Sequence, residues 1–275
     1  MARGSNKAFL KWAGGKGASV FMINDAIGWY ADSAKLIEPF VGSAVVSLNL
    51  GFEGYILGDF NCDLIRLFNF VKDEGEDFVP YCESFFTPEN NDEKVYYEFR
   101  KKFNNVSTGM GERAALFVYL NRHSFNGLCR YNAHGLFNVP YGKYKVVRFP
   151  RKEMLFFETK ARVCEFYCQS FEKTIALAGP DDVIYCDPPY VPLTEDVKSF
   201  TDYTSEGFDL KDQRTLAQLA EESDNKFLIS NLDTEITRDL YKNADKILTR
   251  EVGRFIGGTG ATREPVVELL AIFNT

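Results

Sequence analysis

Four consecutive residues, Asp187-Pro188-Pro189-Tyr190, carry the clearest chemical potential of this chain. They follow the apolar run Val183-Ile184-Tyr185-Cys186, which reads as a buried strand halted by two prolines. Proline fixes φ and lacks an N–H, so the corner offers a carboxylate, backbone carbonyls and an aromatic face with few competing donors. Such a corner suits a planar group bearing an NH2, and open α/β sheets bind ligands at strand ends of this kind. A bare Asp-Pro-Pro-Tyr is equally compatible with an ordinary strand-to-loop corner, so other residues must decide.

A second candidate lies upstream. Lys35 to Phe40 reads as a strand, and Val41-Gly42-Ser43-Ala44 as a turn into a buried helix over Val45 to Leu50. Gly42 lets a ligand approach the backbone, and Ser43 is a candidate helix cap. A short strand, Tyr55 to Gly58, then ends in Asp59, some 17 residues after the glycine. That layout places a carboxylate on ribose hydroxyls and predicts a nucleoside-bearing cofactor. The dinucleotide fingerprint G-x-G-x-x-G is missing, which disfavours a nicotinamide or flavin oxidoreductase. Phe9 to Lys16 is not a phosphate-binding loop either, because no Ser or Thr follows Lys16.

The elements that position these residues form a broken rhythm. Strand candidates recur at Arg162–Cys168, Asp181–Cys186, Lys226–Ser230, Asp245–Thr249 and Val266–Phe273. Helices carry Leu216, Leu219 and Ala220, with Asp209 as cap, and Ile236 with Leu240. Between Asn61 and Pro150 the alternation stops. Leu64 to Val71 reads as a helix, followed by an acidic stretch from Asp73 to Asp77. Val95, Phe99 and Phe103 mark an amphipathic helix, and Glu112 to Leu120 a buried one. Two glycine-punctuated aromatic runs, Asn121–Asn132 and Val139–Lys145, then read as a hairpin or paired loops. The chain thus divides into an α/β portion, 1–60 with 150–275, and an inserted, mostly helical subdomain, 61–149. A loop from Val191 to Tyr203, with Phe200 and Tyr203, and a glycine-rich loop, Gly257 to Gly260, complete it.

Composition bounds the partners. With 275 residues, 45% hydrophobic and 26% charged, the chain is globular, and no run of about 18 apolar residues or signal-peptide core is present. A cytoplasmic protein with no membrane partner is expected. Six scattered cysteines predict reduced, mostly buried thiols rather than a disulfide frame. Two histidines and no C-x-x-C give no support for a metal. The net charge is −7, yet Leu120 to Lys152 holds seven cations (Arg122, Arg130, Lys143, Lys145, Arg148, Arg151, Lys152) and no acid, which leaves −14 elsewhere. A compact basic island on an acidic chain is the footprint of a nucleic-acid site.

Lys11-Trp12-Ala13-Gly14-Gly15-Lys16, Glu38-Pro39-Phe40-Val41-Gly42, Asp59, Asn126-Gly127-Leu128-Cys129-Arg130-Tyr131-Asn132 and Asp187-Pro188-Pro189-Tyr190 occur in this order. Together they resemble the DNA adenine-N6 methyltransferases of the Dam family, which modify GATC, and the match runs from Phe9 to Phe273. The resemblance implies a Rossmann-like S-adenosylmethionine-dependent methyltransferase sheet with an inserted DNA-recognition subdomain. It implies S-adenosylmethionine bordered by Trp12, Lys16, Phe40, Gly42, Asp59 and Asp187, with Asp187, Pro188, Pro189 and Tyr190 as the catalytic corner. It also implies double-stranded DNA as partner. Lys11 would reach the outer guanine, Phe125 would wedge into the stack, and Leu128, Arg130, Pro140 and Tyr144 would approach bases. Asn126, Lys143 and Lys145 complete the implied DNA-binding set; neither a metal nor an oligomer is required. One departure stands out: the family's F-x-G-x-G loop has Ala44 at its second glycine.

Three rival readings stay open on sequence: a cofactor-binding DNA-binding protein with weak catalysis, a methyltransferase for cytosine N4, RNA or a protein amide, and the oxidoreductase already disfavoured. The Asn-Gly-Leu-Cys-Arg run resembles the adenine family.

Overall fold

Alternation along the strands sets the architecture. In Leu36-Ile37, Tyr55-Ile56-Leu57, Val183-Ile184-Tyr185-Cys186 and Phe227-Leu228-Ile229 every residue is buried, yet neighbours join two different hydrophobic clusters. Successive side chains of a strand point to opposite faces, so such runs require a sheet covered on both sides. The computed structural model, which describes residues 6–190, 208–253 and 266–275, contains that sheet. The loop from Val191 to Tyr203 and the stretch Gly257 to Gly260 lie outside the described residues.

The strands are β1 (Lys35–Glu38), β2 (Gly54–Asp59), β3 (Cys164–Cys168), β4 (Val183–Cys186), β5 (Lys226–Leu232), β6 (Lys246–Val252) and β7 (Val266–Phe273), in the order β3-β2-β1-β4-β5-β7-β6. Neighbours among β1 to β5 pair in parallel, while β7 runs antiparallel to both β5 and β6. The chain winds outward from β1 through β2 to β3 on one side and from β4 to β5 on the other. The crevice where the order reverses, outside the carboxyl ends of β1 and β4, is where doubly wound sheets bind ligands. This is the Rossmann-like sheet that the sequence predicts.

The helices are α1 (Val20–Ile27), α2 (Cys62–Glu83), α3 (Glu93–Phe103), α4 (Met110–His123), α5 (Arg151–Ala161), α6 (Phe171–Ile175), α7 (Leu210–Glu222) and α8 (Glu235–Leu240). Asp209 caps α7, its side chain accepting from the backbone N–H groups of Lys211 and Asp212. One hydrophobic cluster runs without a break from the sheet face (Leu36, Tyr55, Tyr185) through α2 (Leu64, Leu67, Phe68) to α3 and α4 (Tyr96, Phe103, Phe117).

Three local expectations are corrected, and one left open between hairpin and paired loops is decided. The helix expected over Val45 to Leu50 is a single 3-10 turn, Ser47–Asn49, because Ala44 enters it with φ 59° and β-branched Val45 and Val46 resist helix; no side chain caps it. The acidic stretch Asp73 to Asp77 lies inside α2, which bends at Glu74 (φ −129°, ψ 21°) next to Gly75. The two aromatic runs form paired loops joined by the single bridges Ser124–Tyr141 and Tyr131–Phe137, not a regular hairpin ladder. Cys62 and Cys168 form a disulfide, against the expectation of reduced, mostly buried thiols rather than a disulfide frame. The reason is register: Cys168 pairs with Asp59 across β2 and β3, and Cys62 opens α2 just beyond, so the Cα atoms stand 5.1 Å apart. Cys82, Cys129, Cys164 and Cys186 are free and buried. Burial pushes the Cys129 and Cys164 thiols up to about 12, which leaves them un-ionised and unreactive.

Candidate active site

The spacing of two that fills one sheet face also delivers carboxylates to its edge. Glu38, Asp59 and Asp187 each follow by two residues a core residue of that face, Leu36, Leu57 and Tyr185. Glu268 precedes Leu270 of the same face by two. Because β7 is antiparallel, its beginning lies at the carboxyl edge, with Glu268 opposite Leu232 at the end of β5. Four acids from four strands thus meet the crevice.

Lys16, buried in the short turn Lys16–Ala18, answers two of them. Its Nζ lies 3.0 Å from Asp187 Oδ1 and 3.6 Å from Glu268 Oε1, donates to the Gly14 carbonyl at 2.9 Å, and stands 4.5 Å from the centre of the Tyr190 ring. The Tyr190 hydroxyl donates to Glu268 Oε1 at 3.1 Å. Oδ1 is buried and, among the described residues, it is met by the Lys16 ammonium as an ion pair. Burial raises the Asp187 carboxyl above the usual aspartate range, and Lys16 opposes that rise. Behind the corner, Gln213 donates to the Pro189 carbonyl at 2.7 Å, while its own oxygen accepts from Asn231 at 3.1 Å and the Tyr241 hydroxyl at 3.3 Å.

The glycine turn is tied to Asp59. Asp59 Oδ2 accepts from the Gly42 N–H at 3.0 Å and Oδ1 from the Asn61 N–H at 2.9 Å; burial nonetheless raises its pKa. Gly42 sits at φ 46°, and a Cβ there would lie 2.7 Å from Trp12 Nε1, so only glycine admits the indole. Phe40 packs on Phe171 (ring centres 5.5 Å apart) and meets Phe208 edge-on at 5.4 Å. Two residues past Gly42, Ala44 keeps a left-handed backbone although it has a side chain. Ala44→Gly is therefore expected to stabilise the fold by about 1 kcal/mol, read from urea unfolding. A loss of stability would count against strain at this position.

Glu38 is fully buried and takes a short hydrogen bond from the Ser47 hydroxyl. Burial pushes its carboxyl up to about 8, and the charges of Asp187 and Asp59 add to the rise. An acid whose folded value lies above its ordinary 4.5 contributes stability that is full below that value and lost as pH rises through about 8. Glu38→Gln, a permanent neutral mimic, is expected to raise Tm by several degrees at about pH 8 and little at about pH 5. A gain that does not vary with pH would show that Glu38 is ionised in the fold.

A second surface carries the predicted DNA contacts. Phe125, Asn126, Arg130, Pro140, Lys143 and Lys145 are exposed, and Lys11 and Tyr144 are half-buried. Leu128, expected at the bases, is instead buried in the core, where it anchors the turn that holds its neighbours. Asn121 ties two parts of this surface together: it accepts from the Lys11 N–H at 2.8 Å and donates to the carbonyls of Lys11 at 2.8 Å and Gly127 at 3.1 Å. Gly127 has φ 66° and packs against the Lys11 side chain, whose Nζ stands 4.1 Å from the centre of the Tyr144 ring. Burial and the nearby Arg122 lower the Lys11 pKa. Arg130 Nε donates to Asn138 Oδ1 at 2.8 Å, and Arg151 is engaged by Glu83.

Sequence reasoning missed Glu268, Gln213 and Asn121. Only Glu268 left a signal, a lone acid in the apolar strand Val266-Val267-Glu268-Leu269-Leu270. Among the described residues no group of three or more His, Cys, Asp or Glu is placed to hold a metal, and no helix is long and apolar enough to cross a membrane.

The profile of the D12 class N6 adenine-specific DNA methyltransferases matches residues 12–255. The chain is also 45% identical to a DNA adenine methylase of Vibrio cholerae over 272 residues, covering 98% of this chain and 96% of that one. It is 45% identical to the DNA adenine methylase of Escherichia coli K12 over 273 residues (98% and 96%) and to that of Serratia marcescens over 277 residues (98% and 99%). A match over most of the chain, together with this identity over nearly its full length, shows that the chain belongs to the D12 class N6 adenine-specific DNA methyltransferase family.

Proposed function

We propose that this methyltransferase takes its methyl group from S-adenosylmethionine and places it on N6 of an adenine flipped out of double-stranded DNA, within GATC. The observation that carries the reading is the Asp187 carboxylate at the end of β4, beside β1, with its Oδ1 buried and met, among the described residues, by the Lys16 ammonium at 3.0 Å. The residues present fit the donor. Gly42 leaves no room for a Cβ beneath Trp12, Asp59 stands beside that turn, and each Asp59 oxygen retains a lone pair for a ribose hydroxyl. Trp12, Lys16, Phe40, Gly42, Asp59 and Asp187 would hold it. When bound, S-adenosylmethionine supplies an electrophilic methyl group on a sulfonium.

The protein's own task is to make N6 a better nucleophile. The N6 lone pair is delocalised into the purine ring; hydrogen bonds from its NH2 to Asp187 and to the Pro188 carbonyl favour a pyramidal nitrogen with the pair localised. Gln213 engages the Pro189 carbonyl from behind, which fixes the corner's orientation. The rest is placement of N6 in line with the methyl group. Bringing adenine out of the stack costs a few kcal/mol, and stacking on Tyr190 offsets about 1–3 kcal/mol of it. Phe125, half exposed at the tip of the loops, fills the gap; Arg130, Pro140, Tyr144 and Lys11 approach bases, and Asn126, Lys143 and Lys145 hold the backbone. Residues 61–149 carry recognition, while 1–60 and 150–275 carry transfer. One chain in the cytoplasm suffices.

The test is methylation of random-sequence duplex DNA with isotopically labelled S-adenosylmethionine, followed by mass spectrometry of nucleosides and sequencing of modified positions. N6-methyladenine confined to GATC is expected; methyl groups on cytosine N4, or adenines modified in another sequence, overturn the reading.

A further inference from the structure

Glu268 belongs to no motif in the chain, yet it touches two residues of the corner at once. Lys16 lies between its carboxylate, at 3.6 Å, and that of Asp187, at 3.0 Å, and the Tyr190 hydroxyl donates to it at 3.1 Å. An ammonium held on Asp187 competes with an incoming NH2 for the same oxygens. Moving it away without another anion would leave a buried unpaired charge, which is strongly unfavourable. Glu268 resolves the conflict because the ammonium can lean toward it and remain paired. It is also rigidly carried: β7 is flanked by β5 and β6, with Glu268 in register with Leu232 on one and Arg250 on the other.

We propose that Glu268 is a positioning residue of the adenine site, drawing Lys16 off Asp187 as the N6 amino group arrives and holding Tyr190 in its stacking plane. This rests on the adenine-N6 reading above. The groups that interact with it are Lys16 from the turn before α1 and Asp187, Tyr190 and Tyr185 from β4 and its end, while Glu38 at the end of β1 acts on the same Tyr185. From β6 comes Arg250, whose guanidinium donates to the Ala18 carbonyl; β5 presents apolar Leu232.

Three variants separate the roles. Glu268→Gln keeps an acceptor for the Tyr190 hydroxyl but loses the charge, Glu268→Ala loses both, and Tyr190→Phe loses only the hydroxyl. Single-turnover methylation of a duplex with one target adenine is measured with S-adenosylmethionine across the acid pH range, together with DNA affinity and the fluorescence of 2-aminopurine at the target. Glu268→Gln is expected to slow transfer roughly 10- to 100-fold with DNA affinity within about twofold. Its acid limb should move to lower pH by about one unit, because Asp187 then keeps Lys16 and loses a like charge. Glu268→Ala and Tyr190→Phe should also change the 2-aminopurine signal, which Glu268→Gln leaves close to wild type. An acid limb that does not move in Glu268→Gln, whether its rate is normal or reduced, overturns the proposal. Wild-type protein that forms no N6-methyladenine overturns the adenine reading instead, so the two failures are distinct.

Discussion

Asp187→Ala is expected to lower methyl transfer about 10³-fold while the protein remains folded. The substitution removes the acceptor for N6, whereas the surrounding structure loses little: the side chain sits at a corner with 19% of its surface exposed, and Lys16 still has Glu268 at 3.6 Å. Asp187→Asn should fall between wild type and alanine, because an amide keeps the shape and one acceptor oxygen but not the charge. The carboxylate acts ionised and its pKa is raised by burial, so the wild-type rate should decline with falling pH already above the usual aspartate range. The measurements are labelled-methyl incorporation, circular dichroism and thermal melting. A folded Asp187→Ala protein with undiminished activity would sink the assignment of this corner.

Arg130→Ala is expected to cost roughly 1–3 kcal/mol of discrimination at one guanine of the target, with other positions still ranked as in wild type. Guanine O6 and N7 accept two parallel hydrogen bonds from one guanidinium fork in the major groove. Arg130 is exposed, and Asn138 holds its Nε, which leaves the two terminal nitrogens for a guanine. Lys152 lies exposed at the start of α5, beyond the paired loops, where a cation meets phosphate. Lys152→Ala should therefore weaken all sequences alike and flatten the salt dependence by about one counterion. The assay compares methylation of GATC and its single-base variants by both proteins at several salt concentrations. If both lower every site by one common factor, Arg130 is a phosphate clamp and the recognition scheme is wrong.

The parts legible in the sequence were those written locally. Asp59 and Asp187 end apolar runs that already specify buried strands, and the proline pair announces the corner. Strand direction is not local: Val266 to Phe273 reads as a strand either way, and only its antiparallel insertion between β5 and β6 brings Glu268 to the site. Gln213 and Asn121 reach backbone groups 24 and 110 residues away, contacts that no periodicity encodes. Leu128 reads as part of a recognition segment but is buried, since an exposed loop needs an apolar residue to fasten it. The Cys62–Cys168 pair, 106 residues apart, became neighbours through strand register alone.

The unbroken core from the sheet face to α4 bears on modularity. Leu64, Leu67 and Phe68 of α2 pack in the same cluster as Tyr55 and Tyr185, and the Phe68 ring stands 4.6 Å from that of Phe157 in α5. Residues 61–149 are consequently no cassette: excising or transplanting them would strip one face of the sheet, and the chain should unfold as a single cooperative unit. On the recognition scheme proposed above, a change of target preference is expected instead from point substitutions at the exposed loop tips, where Phe125, Arg130 and Pro140 lie outside the packing beneath them.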